Sequence, residues 1–77
     1  MTNAKTIAAA EETFQALAGR YQSNQSATNQ DCVFSIAFDA AKAAFALVEL
    51  TEGKQRHRWM HNALMYARAA TAHLELA

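Results

Sequence analysis

Asn29-Gln-Asp-Cys-Val-Phe-Ser-Ile-Ala-Phe-Asp-Ala-Ala-Lys-Ala-Ala-Phe-Ala-Leu-Val-Glu-Leu-Thr-Glu52 is the stretch whose apolar pattern decides the fold. Val33, Ile36, Ala37, Ala40, Ala44, Leu47 and Val48 recur at helical spacing and form one stripe. Phe34, Phe38, Ala41 and Phe45 form a second stripe beside it, and only Ser35, Asp39, Lys42 and Glu49 keep a narrow polar strip. A helix that is apolar over most of its circumference needs neighbours on most sides. Two further helices of one short chain cover about one broad face of it. A phenylalanine left in water forfeits about 1.5 to 3 kcal/mol of burial, so Phe34, Phe38 and Phe45 call for a second subunit or a partner.

The ends of this helix carry their own signals. Thr28 with Asp31 three residues later resembles a capping box, and Asp31 suits the positive end of the helix dipole. Gly53 suits the left-handed position just past a helix C-terminus, so the helix is expected over about 29–52.

Upstream, Ile7, Ala10, Phe14, Leu17 and Tyr21 are spaced by threes and fours and predict an amphipathic helix over about 4–21. Gly19 either ends it early or sits inside its last turn. Residues 22–28 are polar and read as a loop. Downstream, a third helix is expected over about 54–76, with Met60, Ala63, Leu64, Ala67, Ala70 and Leu74 as its core stripe and Trp59, Tyr66 and His73 at its flank. The turn at Gly53 is too short for anything but an antiparallel hairpin between the middle and third helices. Facing alanines, Ala40 and Ala44 against Ala63, Ala67 and Ala70, let the two backbones approach closely. The fold class is therefore all-α: one domain over 1–77, three helices with a long central one, assembled as a helical homodimer.

Composition supports this. Alanine fills about a quarter of the chain, proline is absent, and the only glycines are Gly19 and Gly53. At 77 residues a lone core is marginal. The single cysteine, Cys32, cannot form an internal disulfide, so association is the leading remedy. Seven basic and seven acidic side chains cancel, so no net field draws the molecule to nucleic acid or membrane. The N-terminal residues lack the apolar run of a signal peptide, and the expected location is the cytoplasm.

Two groups of residues stand out as candidate binding sites. Lys54, Arg56, His57, Arg58, Trp59 and His61 crowd cations, histidines and the only tryptophan into the start of the third helix, where positive charge opposes the helix dipole at roughly 0.3 to 1 kcal/mol per cation. They are candidates for an acidic protein surface or, with Trp59 stacking, for nucleic acid. The plain alternative is pairing of Arg56 and its neighbours with Glu49 and Glu52. The second group, Phe34, Phe38, Phe45 and Tyr66, is a candidate dimer or partner surface, since aromatics anchor interfaces. His57 and His61 are one turn apart, but two ligands are not a metal site. Cys32 reads as a small apolar filler, and no metal, cofactor or familiar nucleophile motif is expected.

Arg56-His-Arg-Trp-Met-His61 resembles the Arg-polar-three-residues-His motif of HEPN-family ribonucleases. That resemblance implies a helical dimer that brings two motifs together for metal-independent RNA cleavage, Arg56 holding the scissile phosphate and His61 assisting proton transfer. The residues themselves favour a different expectation: a small interaction module, an adaptor, inhibitor or regulator of a larger protein, not an enzyme. Compact helical domains of this kind are common among phage-encoded inhibitors. A nucleic-acid-binding dimer using residues 54–61 is the other open alternative.

Overall fold

A computed structural model of the chain describes residues 4–25 and 30–76, and these hold three helices and no strand. They are α1 (Ala4–Asn24), α2 (Gln30–Leu50) and α3 (Gly53–Leu76). Thr28, half of the expected capping box, lies outside the described residues. The first helix runs past the expected Tyr21 to Asn24, whose side-chain amide donates back to the Arg20 carbonyl at 2.7 Å. Gly19 lies inside α1.

Thr51 and Glu52 form the turn between α2 and α3. Gly53 follows with φ 61°, the left-handed conformation its lack of a Cβ permits. Thr51 is buried, and its hydroxyl donates to the Leu47 carbonyl at 2.7 Å, so a polar group in the turn is satisfied internally.

This turn makes α2 and α3 antiparallel, and their seam is lined by small residues: Ala40, Ala44, Ala63 and Ala70 are all buried. Contact between α1 and α3 works differently. Among the described residues no Cα of α1 comes within 8 Å of one in α3, and aromatic rings span the gap. Trp59, Phe14, Tyr66, Tyr21 and His73 interleave as a ladder, with successive ring centroids 5.0, 5.5, 5.5 and 5.7 Å apart, every pair edge to face. Phe14 and Tyr21 are one heptad apart on α1, and Trp59, Tyr66 and His73 are heptad-spaced on α3. The rungs climb both helices in the same sense, so α1 is parallel to α3 and the topology is up-down-up. Three such helices side by side give an elongated body of 42 × 18 × 13 Å.

The ladder turns α3 away from the expected orientation. Ala63 and Ala70 are buried as expected and Trp59, expected at the flank, joins them, while Met60, Leu64 and Leu74, expected in the core, are exposed. Both stripes of α3 are apolar, and the one that matched the rings of α1 went inside.

Candidate interaction surfaces

The stripe of α3 left outside meets the second apolar stripe of α2. Phe34, Phe38, Ala41, Lys42 and Phe45 from α2 and Ala67, Ala70, Thr71 and Leu74 from α3 line an open groove of about 500 Å³ on the molecule's long side. Phe38 is 48% exposed and Phe45 46%. Phe34 and Phe38 lie ring to ring at 5.8 Å, and the Lys42 ammonium stands 5.5 Å from the Phe38 centroid. Met60 and Leu64 belong to the same α3 stripe as Thr71 and Leu74, at three- and four-residue spacing, and extend the apolar border toward the turn. Alanines at 67 and 70 keep the groove floor low, and the phenylalanines form its wall.

Three of the four residues expected to share an apolar surface therefore do so. Tyr66 does not: its ring is clamped between Phe14 and Tyr21 on the α1 side. Burial, and next the neighbouring Tyr21 hydroxyl, push the Tyr66 phenol above its ordinary value of 10.0. Tyr21 in turn shares a hydrogen bond of 3.0 Å with His73 Nε2. Heptad spacing was the signal in the sequence for this ladder.

The basic segment divides in two. Trp59 is 7% exposed and packs on Phe14, so its ring is a core element and offers no stacking face. Arg56 has a structural task. Its Nε donates to the Thr51 carbonyl at 2.8 Å and the Val48 carbonyl at 3.1 Å, the open carbonyls at the end of α2. These carbonyls take the place of the Glu49 and Glu52 carboxylates expected from the sequence. The last turn of α2 has no basic residue, and a cation that is unfavourable at the start of α3 is favourable against the negative end of α2. Arg56 and His61, five residues apart on a regular helix, point about 140° apart around its axis.

Lys54, His57, Arg58 and His61 are exposed. They continue into a longer feature. Lys54, Arg58, His61, Met65, Arg68 and Ala72 follow one another by fours and threes and are all exposed. Of the seven basic and seven acidic residues in the chain, α3 holds four basic and one acidic, Glu75 near its end. Acidic residues gather instead on α1 and α2, at Glu11, Glu12, Asp31, Asp39 and Glu49. Glu11 and Glu12 are balanced by Lys5 and Arg20 on α1, while α2 sets Asp31, Asp39 and Glu49 against Lys42, so the neutral chain pairs a cationic α3 with an acidic α2.

Among the described residues no three of His, Cys, Asp and Glu come together as metal ligands, and no helix is long and apolar enough to cross a membrane. Compared with known protein families, curated proteins and solved structures, the chain matches none.

Proposed function

We propose that this protein is a helical interaction module that works in the cytoplasm as a homodimer, joined through the phenylalanine groove, and regulates a larger protein by occupying its surface. The observation that carries this reading is the groove itself. Two phenylalanines half in water, with Phe34 and Leu74 in the same groove and Met60 and Leu64 along its border, make an apolar face of the size that often marks an interaction site on a monomer's surface.

The dimensions suit a second copy. A large aromatic side chain buries 150–250 Å², so each half-exposed phenylalanine leaves roughly 100 Å², and the whole face offers roughly 500 Å² of apolar area. A standard interface takes about 800 Å² per partner, somewhat more than half of it apolar. The two are of the same size. A face that two identical chains share must also be electrostatically tolerant of itself, and the groove lining carries a single charged side chain, Lys42.

Replacing Phe38 and Phe45 together by aspartate tests the reading. Both side chains are half exposed, so the variant keeps its helical circular dichroism, and in sedimentation velocity at micromolar concentration it runs as a monomer where the parent runs as a dimer. A parent and variant that sediment alike would count against it.

A further inference from the structure

The cationic side of α3 remains open when the phenylalanine groove is covered. Lys54, Arg58, His61, Met65 and Arg68 run along it at alternating four- and three-residue steps, a span of about 21 Å at 1.5 Å per residue. This 3.5-residue repeat makes a straight seam, the geometry against which another helix lies lengthwise. Toward the middle of the seam Met65 is 51% exposed. Charges therefore occupy both ends and an adaptable apolar side chain, Met65, lies between them. No acidic residue interrupts the chain between Glu52 and Glu75.

We propose that this seam is the docking site for an acidic amphipathic helix of the larger protein, its carboxylates set against Lys54, Arg58 and Arg68 and its central apolar residue against Met65. The proposal rests on the interaction-module reading above and names the partner's chemistry. Charge complementarity selects the sign of the occupant, and the acidic excess on α2, Asp31, Asp39 and Glu49 against Lys42, disfavours its approach to that helix. Met65 at the seam's centre suits a helix better than nucleic acid, which would need stacking rings or more phosphate contacts along the seam, and the one tryptophan is buried in the core. Arg56 and Trp59 take no part, because both are committed to the fold.

The test uses the full chain and a synthetic 18-residue helical peptide with glutamates along one face and a leucine at its centre. A scrambled peptide of the same composition, a single-stranded oligonucleotide and vesicles rich in anionic lipid serve as competitors. Titration calorimetry should show the helical peptide binding at least ten times more tightly than the scrambled one. Lys54→Glu with Arg68→Glu should weaken it at least tenfold, and Met65→Ser should weaken it without changing its salt dependence. All three substitutions are at exposed positions and should leave sedimentation as in the parent, which separates failure of this site from failure of the dimer. Equal binding of the scrambled peptide, indifference to the charge reversal, or preference for the oligonucleotide or vesicles would overturn the proposal.

Discussion

Tyr66 shows how a single side chain ties burial to measurable titration. Its phenol is held above its ordinary value by desolvation and then by Tyr21, so the fold favours the neutral ring. A folded-state value above the unfolded one contributes stability that is fully present below about pH 10 and is lost as pH rises through the higher folded value. Urea midpoints should thus hold steady to about pH 9 and fall beyond it. Tyr66→Phe should remove part of that alkaline fall, as chemical denaturation at stepped pH would show; an identical fall in both proteins contradicts the assignment. Arg56 makes a second residue-scale case. Loss of its hydrogen bonds to the α2 carbonyls in Arg56→Ala should cost about 1 to 2 kcal/mol, read as a thermal midpoint lower by about 5 °C or more in a domain of this size. Arg58→Ala, which lacks that role, should barely move the midpoint.

Among the elements, the middle helix and its hairpin with the third were legible because Ile36, Ala40, Ala44 and Leu47 recur on one stripe at helical spacing, and because Gly53 marks the turn. The rotation of α3 was not. On an alanine-rich helix the stripe through Met60, Leu64 and Leu74 and the stripe through Trp59, Ala63, Tyr66 and Ala70 are equally apolar, and only the complementary rings of α1 choose between them. The extension of α1 to Asn24 escaped for a related reason, since polar residues carry no apolar period. Of the candidate sites, Phe34, Phe38 and Phe45 were readable from spacing alone, whereas the removal of Trp59 and Arg56 from the basic patch depends on contacts between helices. The two glycines give opposite element-scale expectations. A Cβ at Gly19 or Gly53 meets nothing within 4 Å, so sterics do not decide either case. Gly19→Ala, inside a helix, should stabilise by about 0.5 to 1 kcal/mol. Gly53→Ala, at φ 61°, should destabilise by about 1 to 2 kcal/mol. Melting both variants against the parent checks the signs.

For the whole molecule, three helices have more apolar surface than they hide from one another. Both α1 and α3 pack on α2, α3 through an alanine seam, an aromatic ladder ties α1 to α3, and none of these contacts covers Phe38 and Phe45 on the outer stripe of α2. What remains is a groove walled by Phe34, Phe38 and Phe45 on one side of α3 and a cationic seam on the other, two surfaces of different chemistry on one short chain. Self-association through the first would double the second, so that each dimer presents two seams to its target. Affinity for a bivalent target would then exceed that for a single site by the effective-concentration effect. Covering each half-exposed phenylalanine is worth about 1 kcal/mol, half the value of full burial, and the pairing should accordingly weaken steeply when those rings are removed. Sedimentation equilibrium of the purified chain at micromolar concentration is the most direct measurement: a mass twice the 8.4 kDa of one copy is expected, and a well-folded monomer of 8.4 kDa would contradict it.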